Sequence, residues 1–186
     1  NLTNAKPSIR FQRLKGSENY IMQHYDLIYG TFPKEANEVV LIVSGTNGIP
    51  AKVLASLGLT TVADLVHNVS KNYTFDEIMQ AADLRVITNN NYYKQDSEGL
   101  YVIKENDEIQ ALSKEDTMPL KITGVIRIKR GEIYGSQSEG IGYIQSLEDY
   151  FHADALESDI VAAQKASPNV SVLNGTTFAE DTAANR

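Results

Sequence analysis

Two apolar segments on either side of a Gly30-x-x-Pro33 turn leave this chain few folds to choose from. Tyr20 to Tyr29 is rich in aromatic and branched residues, as strands are, and is expected to hold one. Glu38 to Val43 contains five consecutive aliphatics, Val39-Val40-Leu41-Ile42-Val43. A strand with one wet face alternates polar and apolar residues. One with no polar position must be covered on both faces, so this run reads as a fully buried strand. Pro33 removes a backbone donor between the two segments and marks the turn. Pro50 then suits the first turn of a helix, where its missing N–H would be unpaired anyway. Val53, Leu54 and Leu57 fall on one helical face, and Gly58 stops the helix by taking positive φ without steric cost. Strand, loop and helix in this order form a common unit of layered α and β architecture. The strand pattern returns in altered form at Leu120-Lys121-Ile122-Thr123-Gly124-Val125-Ile126-Arg127, read as a long strand reaching Lys129.

Elsewhere the signals are shorter. Ser8 to Leu14 reads as a strand with Ile9 and Phe11 on its buried face. Thr60 to Asn68 reads as a short helix, with Val62, Leu65, Val66 and Val69 near one side. Thr74-Phe75-Asp76-Glu77 is a capping-box pattern that opens a helix through Met79. Leu84 to Thr88 and Leu100 to Ile103 read as strands, Asn89 to Asn91 as a turn, and Glu105 to Asp116 as a charged surface helix or loop. Gly131, Gly135, Gly140 and Gly142 punctuate a flexible loop. Ser146 is expected to cap a helix through Tyr150, and Asp154 or Ser158 the next, which Pro168 stops. Val170 to Leu173 reads as a last short strand, and 179–186 as a polar linker. The expected fold class is α+β. A mixed α/β core lobe occupies 1–59 and 118–178. A second, smaller α+β lobe is inserted at 60–117, and a C-terminal linker covers 179–186.

Bulk properties exclude several classes. With 186 residues and 42% apolar content, the chain can bury a core of its own. Its net charge of −7 is wrong for nucleic acid, which needs a dense basic surface. Arg127, Lys129 and Arg130 are the one small basic cluster and read as a solvated strand face. Cysteine is absent, which removes disulfides and thiolate chemistry together. The longest unbroken aliphatic run, Val39 to Val43, is far short of the roughly 20 residues that span a bilayer. No basic-then-apolar leader opens the chain, and Asn rather than Met at residue 1 suggests an excised or processed piece.

Candidate chemistry gives no site. The Gly45-Thr46-Asn47-Gly48 loop lacks the Lys of a phosphate-binding loop and reads as a turn. Gly140-x-Gly142 lacks the third glycine of a dinucleotide fingerprint. His24, His67 and His152 are far apart in sequence and have no metal-ligand spacing. Glu105, Asp107, Glu108, Glu115 and Asp116 read as a solvated acidic face rather than a cation site. No Gly-x-Ser-x-Gly elbow occurs. Glu148 and Asp149 are adjacent on an expected helix and so do not face each other. The Asn-x-Ser/Thr triplets at Asn1, Asn68, Asn72, Asn169 and Asn174 are read as chance in an Asn- and Thr-rich chain. Tyr92, Tyr93, Tyr101, Tyr134 and Tyr143 read either as a contact surface or as half-buried strand residues. No catalytic, cofactor-binding or metal residue is assigned.

The order of several segments resembles the extracytoplasmic domain of an ABC transporter permease of the MacB/FtsX type, in the form found in Gram-positive bacteria. These segments are the Gly30-x-x-Pro33 turn leading into Glu38-Val39-Val40-Leu41, Leu54-x-x-Leu57-Gly58-Leu59, and Leu120 to Arg127. Ile141-Gly142-Tyr143 and Ser158-Asp159-Ile160-Val161-x-x-Gln164 are similar to later segments of such permeases. The resemblance covers about Phe11 to Phe178. It implies a MacB-like periplasmic core domain with a second lobe inserted, held on the extracellular side of the cell membrane between the first two membrane helices. It implies a non-catalytic role, coupling ATP-driven helix motion to export or handling of a peptide, lipid or lipoprotein, or to control of a cell-wall enzyme. The implied partners are a cognate ABC ATPase subunit reached through the membrane part, a second permease subunit, and a peptide, lipid or cell-wall protein ligand. No cofactor and no nucleic acid are implied. A stand-alone secreted binding module for a peptide or wall polymer is the alternative, and a secreted hydrolase with a dispersed site comes third.

Overall fold

The computed structural model describes residues 9–61, 72–131 and 138–178. Its elements begin with β1 (Phe11–Arg13), α1 (Glu18–His24), β2 (Tyr25–Gly30), β3 (Glu38–Val43) and α2 (Ala51–Ser56). There follow α3 (Phe75–Ala81), β4 (Leu84–Ile87), α4 (Asn89–Tyr92), β5 (Tyr93–Gln95), β6 (Tyr101–Ile103) and α5 (Asn106–Gln110). After a 3-10 turn at Lys114–Asp116 come β7 (Thr117–Ile128), β8 (Gly140–Tyr143), α6 (Gln145–Glu157) and α7 (Asp159–Ala166). The fold is α+β, as the sequence patterning implies. Contacts divide the chain into two compact units. The first is Asn1–Arg85 with Pro119–Asp149, and the second is Val86–Met118 with Tyr150–Arg186. Among the described residues no helix is long and apolar enough to cross a membrane.

The first unit is built on a mixed sheet of order β1-β8-β3-β7-β2, with β4 also pairing β7. β3 lies parallel to β7 and antiparallel to β8. Its five aliphatics, Val39 to Val43, are each 0% exposed, as a strand without polar positions requires. Val125, Ile126 and Ile141 on the two flanking strands are equally buried. Burial of each such side chain stabilises by about 1.5–3 kcal/mol. The approach to β3 is fixed by Glu38, whose carboxylate accepts from the N–H groups of Lys34 (2.8 Å) and Glu35 (3.2 Å). Those two bonds hold the Glu38 carboxyl below its ordinary range.

Gly30 and Gly124 stand opposite each other across β2 and β7. Gly30 has φ +68°, and a Cβ there would overlap Thr123 O and lie 2.9 Å from Gly124 Cα. A Cβ at Gly124 would overlap Thr31 O and lie 3.0 Å from Thr31 C. The two glycines of the recurring pattern therefore serve one purpose, a close backbone approach where β2 turns away from the sheet.

Several elements differ from expectation. Tyr20 to His24 is helical, because Ser17 Oγ accepts from Tyr20 N–H and only Ile21 of that helix is buried. β1 is reversed in burial. Phe11 is 41% exposed and stacks on the Tyr143 ring at 4.8 Å, while Leu14, just past the strand, enters the core. Asn89 to Tyr92 makes one helical turn, and Val170 makes only an isolated bridge with Thr177. Ser146 lies inside α6, which runs on to Glu157, so it caps nothing. Ser158 takes the N-cap position of α7, but its Oγ donates to Ala155 O at 2.6 Å. The Thr74 capping box forms as expected. The expected helix over 60–68 falls almost wholly outside the described residues. So does much of the 131–142 loop, whose final residues form β8.

Residues 72–85, expected in the inserted lobe, count with the first unit. Ile78 is 1% exposed there, Phe75 meets the Tyr29 ring at 5.7 Å, and Tyr73 OH donates to Leu59 O. Residues 150–178, expected in the core lobe, count with the second unit. Their tie is β6, where Tyr101 N–H donates to Val172 O at 2.8 Å.

Candidate functional site

The sequence candidates are largely consumed by structure. Arg127 donates to Asp26 Oδ2 at 3.1 Å and to Asn47 Oδ1 at 3.3 Å, and Lys129 Nζ donates to Met22 O at 2.6 Å. Arg127 and Lys129 of the basic cluster thus fasten β7 and the residue after it to their neighbours. The Gly45–Gly48 loop is a turn in which Ser44 Oγ accepts from Gly48 N–H at 2.8 Å. Glu108 pairs with Lys94 at 2.6 Å and also accepts from Glu105 N–H. The Lys94 ammonium, with the Glu105 N–H second, holds the Glu108 carboxyl low, and Glu108 in turn raises Lys94. Asp116 is held low by Ser113, whose hydroxyl and N–H it accepts. The acidic stretch is therefore a run of helix caps, and no metal-ligand cluster occurs among the described residues. His24 lies against the Tyr20 ring at 5.3 Å, while His67 lies outside the described residues.

Glu148 and Asp149 also have separate tasks. Glu148 accepts from Tyr143 OH and pairs with Arg13, both at 3.1 Å, joining α6 to β8 and β1. Asp149 accepts from Gln145 at 2.9 Å. Burial first, and the Glu148 bond second, pushes the Tyr143 phenol above its usual value. Asn174 Oδ1 accepts from the hydroxyl and N–H of Thr176, which makes a local turn of one Asn-x-Thr triplet.

The tyrosines do not form one surface. Tyr143 belongs to the first unit, and Tyr134 lies outside the described residues. Tyr93 and Tyr101 come together in the second unit. In the β5–β6 hairpin Tyr93 opposes Ile103 and Gln95 opposes Tyr101, so these four side chains share one face. Tyr93, Gln95 and Tyr101 of this face line a groove whose other wall is α7. One end is polar, about 200 Å³, and includes Asn89, Asn90, Lys94 and Asp159. The adjoining end is about 370 Å³ and mainly apolar, with Leu100, Ala163, Ala166, Val170 and Val172. Gln95 and Tyr101 line both ends.

The polar end is kept open by local bonding. Asn90 Oδ1 accepts from Asp159 N–H at 2.9 Å, and Asn89 N–H donates to Asp154 at 3.3 Å. Among the described residues the Asn89 side chain, the Tyr93 and Tyr101 hydroxyls and the Asp159 carboxylate have no partner. α7 contributes Asp159, Ile160, Ala163 and Ala166, and its C-cap Ser167 continues the same stripe at helical spacing. The sequence pattern singles out Ile160, Val161 and Gln164 on this helix rather than the small stripe. Ala163, Ala166 and Ser167 at that spacing were the available signal. No family model matches the chain, and neither a curated protein nor a solved structure matches it.

Proposed function

We propose that this chain is the extracytoplasmic domain of an ABC transporter permease of the MacB/FtsX type. It follows the motion of membrane helices driven by an ATPase partner, pairs with a second permease subunit, and handles a peptide, lipid or lipoprotein, or governs a cell-wall enzyme, without catalysis of its own. The observation that supports this most is where the resembling segments fall. Glu38 to Leu41, Leu120 to Arg127 and Ile141 to Tyr143 lie on three adjacent strands, β3, β7 and β8, of one sheet. Transmitting force requires a body that does not deform, and a close-packed aliphatic core has that property. The test is the coding sequence on either side of residues 1 and 186. A membrane-spanning segment just upstream and about three downstream are the expected finding. A cleavable leader with a stop codon near Arg186 refutes the proposal.

A stand-alone secreted binding module is the second reading, and the groove of the second unit would give such a module a place for its ligand. The same flanking sequence separates the two.

A further inference from the structure

We propose that the groove between the β5–β6 hairpin and α7 receives an extended peptide of about four residues, with a cationic side chain at the Asp159 end and an apolar one at the Val172 end. The length follows from the wall. The eight residues of α7 run about 12 Å, the reach of about four extended residues.

Three features select a peptide. The Asn89 amide is unpaired among the described residues, Asn90 keeps its amide donors while its Oδ1 accepts from Asp159 N–H, and Gln95 keeps its Oε1 acceptor while its Nε2 donates to Gly99 O at 3.4 Å, so both donors and acceptors remain for a peptide unit. Ala163, Ala166 and Ser167 leave the helix wall low enough for a backbone to lie against it. The two ends differ in character, which suits a chain carrying unlike side chains. A neutral glycan would leave the aliphatic side chains of Leu100, Val170 and Val172 without an apolar partner, and an acyl chain would leave the amides and carboxylate of the polar end unpaired.

The charge follows from pairing. Lys94 is tied to Glu108 at 2.6 Å, so the positive charge at the polar end is already neutralised. Asp159 forms no ion pair among the described residues, and the whole chain carries −7. The vacancy at that end therefore favours a cation.

This inference rests on reading the chain as an extracellular ligand-handling module, and it is indifferent to membrane flanks. The experiment is an NMR titration of the 15N-labelled 186-residue chain. The probes are acetyl-Lys-Ala-Ala-Leu-amide, its reversed order acetyl-Leu-Ala-Ala-Lys-amide, both again with Glu for Lys, and chitotriose. One lysine peptide is expected to shift the amides of Gln95, Tyr101, Ala163 and Val172, and its Glu twin to bind about fivefold more weakly. Asp159→Asn is expected to remove that preference. Ala163→Leu, checked for folding by circular dichroism, is expected to abolish binding by filling the groove. The proposal is overturned if neither lysine peptide shifts these amides, if chitotriose does so instead, or if Ala163→Leu binds as well as the parent chain. Such a failure leaves the permease reading intact. A peptide-binding chain with a leader and no membrane helices would refute the permease reading alone.

Discussion

Alanine at Gly30 and at Gly124 probes the close approach of β2 and β7. The conformation at Gly30, φ +68°, costs an L residue about 1–2 kcal/mol. The new Cβ would also press on Thr123 O, a backbone atom on a paired strand that cannot swing aside. Forcing such a shift costs about 1–3 kcal/mol, so Gly30→Ala is expected to lose about 2–5 kcal/mol. Gly124→Ala carries only the steric part, about 1–3 kcal/mol. Gly58→Ala is the control, since its φ is +79° with no atom within 4 Å of the added Cβ. It is expected to lose about 1–2 kcal/mol. The entropy that alanine removes from the unfolded chain is common to all three and cancels in the comparison. Urea unfolding gives the totals. Because two units need not unfold together, amide exchange at Val40 and Ile126 reports the sheet itself. If Gly30→Ala proves no more destabilising than Gly58→Ala, the contact account of these glycines is wrong.

Other perturbations follow from the same structure. Leu41→Ala, at a side chain with 0% exposure, is expected to lose about 2–5 kcal/mol in the same urea assay. Thr74→Ala removes the cap of α3 and is expected to lose about 1 kcal/mol, with faster exchange confined to that helix. Ser146 Oγ is buried and has no hydrogen-bond partner among the described residues, so Ser146→Ala is expected to raise stability by about 0.5–1 kcal/mol. Glu38, Glu77, Glu108 and Asp116 all have carboxyls held below their ordinary values. Their stabilisation is complete above the unfolded pKa and is lost as pH falls through the lower folded values. Unfolding free energy should therefore drop below about pH 4, and less steeply in Glu38→Gln.

Legibility in the sequence tracked how far a signal depends on neighbours along the chain. Val39 to Val43 announced a doubly covered strand because no distant residue can supply polarity to it. The Thr74 box was equally plain, since all its parts lie within four residues. Aromatic content over Tyr20 to His24 suggests a strand, whereas the helix is set by Ser17, which accepts from Tyr20 N–H through Oγ and from Ile21 N–H through its carbonyl, and by one buried isoleucine. Alternation assigns Phe11 to the core, but an edge strand can set an exposed phenylalanine against a half-buried tyrosine ring. The groove was the least legible feature. It depends on long-range bonds, Tyr101 N–H to Val172 O at one end and Asp159 N–H to Asn90 Oδ1 at the other, which bring α7 beside a hairpin some 60 residues earlier in the sequence.

Because the chain has no cysteine, the central claim can be tested by a single reporter. Ser97, exposed in the turn before β6, can be replaced by cysteine in the protein as it is made in its own cells. A membrane-impermeant maleimide applied to intact cells is then followed through fractionation, with the unsubstituted protein as the blank. An extracytoplasmic permease domain predicts labelling without lysis and recovery of the labelled protein in the membrane fraction. Labelling only after lysis, or labelled protein recovered free in the medium, contradicts it.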